Sequence, residues 1–187
     1  NYMLLVEKYR PSKIQDVVGF KPNFTIDDTL PHLLFYGPPG TGKTTVAKII
    51  IHDLNCDKII LNASSERGID VIREKIKTFA STQSKSGEIK IVFLDEADHL
   101  TNDAQTALRN MMETYSKNCR FILTANYVQR IIEPIKSRCI LNKFDNIPKN
   151  AIVERLKFIC DEEKIPYDIS ALIKLVELSN GDIRYAI

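Results

Sequence analysis

The chain has no tryptophan, only seven glycines and four cysteines among 187 residues, and almost no excess of either charge. Each scarcity excludes something. Twenty-six Lys and Arg stand against 24 Asp and Glu, a net charge of +2, so no overall basic field announces a nucleic acid. Any such argument must rest on where particular charges sit. Cys56, Cys119, Cys139 and Cys160 form no CxxC pair, and His32, His52 and His99 are equally scattered. That spacing argues against a zinc site or a disulfide framework and fits a reducing compartment. The longest apolar runs, such as Ile89–Leu94 broken by Lys90, fall far short of the ~18 residues a membrane-spanning helix takes, so no membrane partner is expected. Glu7, Lys8 and Arg10 interrupt the first apolar stretch early, and no leader pattern is read there.

What is present is an alternation. Leu33–Tyr36, Ile59–Asn62, Ile91–Leu94, Phe121–Thr124 and Cys139–Phe144 are expected to be strands. Their continuous apolarity suits a parallel sheet covered on both faces. Between them the apolar residues recur at helical spacing: Val46, Ile49, Ile50 and Leu54, then Ile72, Ile76 and Phe79, then Ala104, Leu108, Met111 and Met112. This predicts an α/β fold with helices on both faces of a parallel sheet. Ile147–Pro148 is expected to break the last strand. Beyond it the pattern is helical: Ala151–Glu163, Ser170–Leu178, a cap at Asn180–Gly181, and a third helix opening at Asp182 that Ile187 cuts short. The expected division is a nucleotide-binding domain over 1–147 and a small, incomplete helical domain over 148–187.

Gly37-Pro38-Pro39-Gly40-Thr41-Gly42-Lys43-Thr44 fits G-x-x-x-x-G-K-[ST] at every fixed position, between a predicted strand and a predicted helix. The glycines let successive N–H groups converge on one concavity, to which the helix adds its positive N-terminal end. Lys43 brings a point charge to the β- and γ-phosphates, and Thr44 a hydroxyl ligand for Mg²⁺. The alternative, a turn that merely caps a helix, explains none of this spacing. Strand Ile91–Leu94 then ends in Asp95 and Glu96. With a phosphate loop upstream, Asp95 is expected in the Mg²⁺ shell, and Glu96 as the group that orients and deprotonates the attacking water. Without that loop, an N-cap and a first-turn charge would explain the pair as well. Asp95-Glu-Ala-Asp98 spells the name of the DEAD-box helicases, but such an enzyme needs a second sheet domain, and the residues after Ile147 are too few and too helical.

Several segments together resemble the small subunits of replication factor C, the sliding-clamp loader of eukaryotes and archaea. They are Val6-Glu-Lys-Tyr-Arg-Pro11, Asn62-Ala-Ser-Ser-Glu-Arg-Gly-Ile-Asp70, Asp95-Glu-Ala-Asp-His-Leu-Thr101, Ala104-Gln-Thr-Ala-Leu-Arg109, Ser137-Arg-Cys139 and Gly181-Asp-Ile-Arg184. The resemblance implies an AAA+ module, a five-stranded P-loop domain followed by a three-helix lid, with a C-terminal collar domain outside this chain. The segments Phe20–Leu30 and Leu54–Ile59 are shorter than that family usually has.

The resemblance also implies roles. ATP or ADP with Mg²⁺ would lie against Val6, Tyr9, Arg10, Pro11, Val17, Val18, the loop from Gly37 to Thr44, and Thr45. Asn126 would be the sensor-1 group beside the γ-phosphate, although a residue closing a strand also fits that place. Arg184 would be sensor 2. Arg138 would be an arginine finger inserted into a neighbouring subunit's ATP site. Arg73 and Lys77, four apart, share a helical face with Ile69 at its start. They would follow duplex phosphates without reading sequence, though a solvated face explains them too; Arg109 is a further candidate. The implied protein is a nuclear DNA-replication and DNA-repair ATPase in a hetero-pentamer with other loader subunits, a sliding clamp and primer-template DNA. Other AAA+ DNA remodellers, such as Holliday-junction motors and initiation ATPases, fit Ser137-Arg-Cys139 and the Val6–Pro11 opening less well. A scaffold that never hydrolyses would not be expected to keep Lys43, Asp95 and Glu96 intact.

Overall fold

A computed structural model describes residues 4–66, 68–84 and 88–187. Its sheet is built from β1 (Leu33–Tyr36), β2 (Lys58–Asn62), β3 (Lys90–Asp95), β4 (Cys119–Ala125) and β5 (Ile140–Lys143), all parallel, in the order β2–β3–β4–β1–β5. Each strand lies within a residue or two of the run that predicts it. Parallel neighbours need crossovers, which here carry α2 (Lys43–Leu54), α3 (Ile69–Ser81), α4 (Asn102–Thr114) and the single turn α5 (Glu133–Lys136). A short helix, α1 (Leu5–Lys8), precedes the sheet.

The unbroken apolar runs divide by the period-2 rule into two cores. Leu33 and Phe35 of β1, Ile91 and Phe93 of β3 and Ile122 of β4 join the apolar side of α2. Leu34, Val92, Leu94, Phe121 and Leu123 point to the opposite face, against α3 and α4. Coverage fails at the two edges, contrary to the expectation for every strand: Ile60 of β2 is 48% exposed and Ile140 of β5 is 40% exposed. Helix α3 covers the Ile59 and Leu61 side of β2, but α2, which packs on β3 and β4, leaves the opposite side with Ile60 open.

Phenylalanines fasten the segment before β1. The Phe20 ring stacks on Phe144 at 4.7 Å, and Phe24 lies 6.1 Å from Phe35. Lys90, only 1% exposed, aims its ammonium at the end of α3, donating to the Phe79 carbonyl at 2.7 Å, the Thr82 hydroxyl at 2.8 Å and the Thr82 carbonyl. A lysine thus occupies the place where α3 would otherwise leave its last carbonyls to water.

Strand β5 ends at Lys143, before the Ile147–Pro148 break expected from sequence. Phe144 makes the last rung, its N–H donating to the Tyr36 carbonyl at 2.7 Å, and then turns its ring into the aromatic cluster. Pro148 instead serves as the N-cap of α6 (Lys149–Glu162). Then come α7 (Ile169–Leu178), capped by the Asp168 carboxylate accepting from the Ser170 N–H at 3.2 Å, and α8 (Ile183–Ala186), capped by Asp182 accepting from the Arg184 N–H at 3.0 Å. The three helices share a small cluster of Ile152, Leu156, Leu172, Val176 and Ala186, joined by Ile147. Among the described residues no helix is long and apolar enough to cross a membrane.

Candidate nucleotide site

Beyond the carboxyl ends of β1, β3 and β4, where ligands of open α/β sheets bind, the chain encloses a cleft of about 490 Å³. The loop from Gly37 to Gly42 forms its floor. At Gly37 the backbone has φ 146°, and a Cβ would stand 1.9 Å from the Phe144 carbonyl oxygen, so the approach of loop to sheet admits only glycine. The Thr41 hydroxyl donates to the Pro38 carbonyl at 2.8 Å and closes the loop on itself. Helix α2 starts at Lys43 and directs its free N–H groups into the concavity.

Lys43 is buried, its ammonium donating to the Gly37 and Pro38 carbonyls at 2.7 Å each. Burial pushes its pKa down to about 8; the charges of Asp95 and Asp98 oppose that fall, and Arg184 adds to it. The Thr44 hydroxyl faces both oxygens of Asp95 at 3.2 Å. From the neighbouring strand, Thr124 donates to Asp95 through its hydroxyl and accepts from the Glu96 N–H at 2.9 Å. One hydroxyl therefore fixes both carboxylate residues. Glu96 itself has φ 57°, in the left-handed region that non-glycine residues rarely adopt. Asp98, buried, accepts from the Asn126 and Tyr127 N–H groups at 3.2 and 3.1 Å, which sets the turn carrying Asn126 beyond β4. Thr44 and Asp95 together offer the oxygen donors a hard divalent cation takes.

Most residues expected around the nucleotide line this cleft: Val6, Tyr9, Arg10, Pro11, Val17, Val18, Pro39 through Thr45, Asp95, Glu96, Asn126 and Arg184. Gly37 and Pro38 lie beneath it and hold Lys43. Sequence reasoning missed Thr124 and Arg155, which also line it. A polar residue inside the run Phe121–Ala125 is a usable signal for Thr124; Arg155 carries none.

The remaining expected residues lie elsewhere. Arg138 is ion-paired with Glu113 and donates to the Pro134 carbonyl at 2.9 Å. Arg109 reaches the same Glu113 at 3.4 Å. Ile69 opens α3 and is partly buried; Arg73 is exposed and pairs with Asp70 at 3.0 Å, and Lys77 is exposed. Within the segment Asn62–Asp70, Arg67 lies outside the described residues.

A sequence profile of the family described as "ATPase family associated with various cellular activities (AAA)" matches residues 33–145. Among curated proteins, the replication factor C small subunit of Archaeoglobus fulgidus is 50% identical over 100% of this chain and 62% of its own length. That of Aeropyrum pernix is 49% identical over 99% of this chain and 61% of its own, and replication factor C subunit 4 of Encephalitozoon cuniculi is 49% identical over 98% and 62%. The chain thus spans about three-fifths of the length of the curated relatives it matches. Among solved structures, the RuvB Holliday junction branch migration motor of Thermotoga maritima superposes with a TM-score of 0.74 at 21% identity, over 96% of this chain and 63% of that one. At that identity the likeness speaks for the fold alone.

Proposed function

The chain belongs to the AAA family of ATPases and is similar over its whole length to replication factor C small subunits; on that premise we propose that it is an ATPase subunit of a sliding-clamp loader. The observation that carries the reading is the joining of Lys43, Thr44, Asp95 and Glu96 in one cleft, in a chain half identical to clamp-loader subunits. The reaction is ATP plus water to ADP and phosphate. Lys43 leaves the loop carbonyls for the phosphates, and the N–H groups opening α2 hold the phosphate oxygens. Thr44 and Asp95 hold Mg²⁺, which when bound neutralises charge on the phosphates. Glu96 orients the attacking water and takes its proton, while Asn126 and Arg184 contact the γ-phosphate end.

Helices α6–α8 act as the lid over this site, 148–187 against the 1–147 body. Arg138 lies outside its own cleft, partly exposed beside Glu113, and as a finger for a neighbouring subunit's site it would exchange that pair for phosphate. Ile69, Arg73, Lys77 and Arg109 contact duplex phosphates, which matches the solvent exposure of Arg73 and Lys77. The partners are the other subunits of a hetero-pentamer, the clamp and primer-template DNA, in the nucleus where the cell has one.

The test is ATP turnover by the complete subunit in a reconstituted loader, with and without clamp and primed DNA. Clamp and DNA should stimulate turnover. Lys43→Ala should abolish nucleotide binding by this subunit. Arg138→Ala should lower loader turnover, by about 10³-fold at the affected site if it matches GTPase fingers, and leave this subunit's own nucleotide affinity unchanged. Turnover indifferent to clamp, DNA and Arg138 would leave an ATPase but no clamp loader.

A further inference from the structure

Strands β3 and β4 pair residue by residue from Lys90 and Cys119 up to Leu94 and Leu123. Beyond that rung the backbone ladder stops, and side chains continue it in both directions. From β4, the Thr124 hydroxyl accepts from the Glu96 N–H at 2.9 Å and donates to the Asp95 carboxylate. From the turn after β3, the Asp98 carboxylate accepts from the Asn126 and Tyr127 N–H groups at 3.2 and 3.1 Å. The ties cross. Strand β4 holds the backbone of the acidic turn, and the acidic turn holds the backbone that carries Asn126. Both holders are buried, Thr124 at 2% and Asp98 at 5% exposure, so water is no ready substitute for either.

Thr124 is the odd residue of its strand, since Phe121, Ile122, Leu123 and Ala125 around it are apolar and buried. A hydroxyl has one proton to give and lone pairs to receive with. Here the proton goes to Asp95 and a lone pair faces Glu96, so both of its partners belong to the acidic pair. Asp95 has further support: its carbonyl accepts from the Ala63 N–H at 2.9 Å, and the Thr44 hydroxyl stands 3.2 Å from both carboxylate oxygens. Glu96 has less. Its backbone sits at φ 57° and ψ 44°, a conformation a residue with a Cβ keeps only where its surroundings impose it. Its N–H bond to Thr124 and the His99 N–H bond to its carbonyl at 3.1 Å hold it there. We propose that Thr124 is a positioning residue for hydrolysis, setting the direction of the Asp95 carboxylate and the backbone of Glu96 so that both stand in one frame with Asn126. The inference rests on the reading of the cleft as an ATPase site and adds to it a residue that acts through Asp95 and Glu96. It separates binding from chemistry. No hydrogen bond of Thr124 reaches the loop from Gly37 to Thr44, so phosphate binding survives its loss, whereas the acidic turn does lean on it.

The test uses the complete subunit, in a reconstituted loader for hydrolysis and alone for binding. Thr124→Val keeps the shape of the side chain and removes both hydrogen bonds. Hydrolysis at this subunit's site, with Mg²⁺ saturating, should slow about 10- to 100-fold, the loss usual when the support of a metal-holding group is taken away. ATP binding in EDTA, read by titration calorimetry, should stay within about twofold, since no group touching phosphate changes. Mn²⁺ binding to the ADP-loaded subunit, read by electron paramagnetic resonance, should weaken about 10-fold, because Asp95 keeps its charge and loses its direction. Thr124→Ser restores the hydroxyl and should bring hydrolysis and Mn²⁺ affinity back to within about threefold of wild type. Wild-type hydrolysis and Mn²⁺ affinity in Thr124→Val overturn the proposal, and so does a serine variant no better than the valine one. Loss of ATP binding in EDTA as large as the loss of hydrolysis overturns it too, since Thr124 would then serve the nucleotide itself. Wild-type subunit that binds no ATP, or binds and never hydrolyses it, removes the ATPase reading and this inference with it. Brisk wild-type hydrolysis beside an unaffected Thr124→Val removes this inference alone.

Discussion

The cleft has two walls of different construction. On the sheet side, Leu33, Leu34, Phe35, Val46, Ala47 and Ile50 are wholly buried, and strands and α2 enclose them on both faces. On the helical side, a handful of residues from α6, α7 and α8 make the core, while Leu178 is 66% and Tyr185 80% exposed. The first wall is stable by its own packing. The second also depends on contacts with other parts of the chain, among them Ile147 and Val18 in its core and Tyr9 against Phe158 and Glu163. A site built this way has one fixed side, which carries the glycine loop, and one more lightly packed, adjustable side.

The largest test of that contrast is truncation in each core. Phe35→Ala should destabilise the whole protein by about 3–5 kcal/mol, read by urea unfolding. Leu172→Ala should cost about 2–5 kcal/mol locally and speed hydrogen exchange in α6–α8 while leaving β1 and β4 protected. Equal acceleration in both regions would mean the walls are one cooperative unit.

Two glycines sharpen the same point. Gly37→Ala forces a Cβ against the Phe144 carbonyl and should cost about 3 kcal/mol or more, with loss of nucleotide binding. Gly181 has φ 83°, and a Cβ there would meet nothing within 4 Å. Gly181→Ala should therefore cost only the left-handed strain, about 1–2 kcal/mol. Melts of both variants, with ATP titrations, check the difference.

On the fixed side, Lys43 should give nucleotide binding a pH dependence. Its pKa is about 8 with the ammonium on the loop carbonyls, and bound phosphates hold the proton on. Affinity for ATP should be flat at neutral pH, then fall as pH rises through that value, approaching about tenfold per unit above it. The fall should come with proton uptake in calorimetry across buffers of different ionisation enthalpy. The smallest effect belongs to the adjustable side: Lys8→Ala removes an exposed ion pair with Glu163 and should change stability by no more than about 1 kcal/mol.

Much of the fixed wall is legible in the sequence. Five apolar runs mark the five strands, because burial on both faces leaves little freedom in composition. The loop from Gly37 to Thr44 is readable because phosphate chemistry constrains backbone and side chain alike. The exposure of the edge strands is not readable, since Ile60 and Ile140 are as apolar as central residues and nothing local records where the helices stop. Pro148 reads as a strand breaker yet opens α6, because proline suits both places. Arg155 leaves no mark because its contact is with a backbone carbonyl 146 residues away, and no spacing rule reaches so far.

The buried Lys90 carries a mechanical consequence. Its ammonium clamps the end of α3, and the strand it begins, β3, ends at Asp95. Helix and carboxylate are thus joined by a straight tie-rod, with no loop between the clamp and the acid. A displacement of α3 would therefore bear on Asp95 through the backbone of β3 alone.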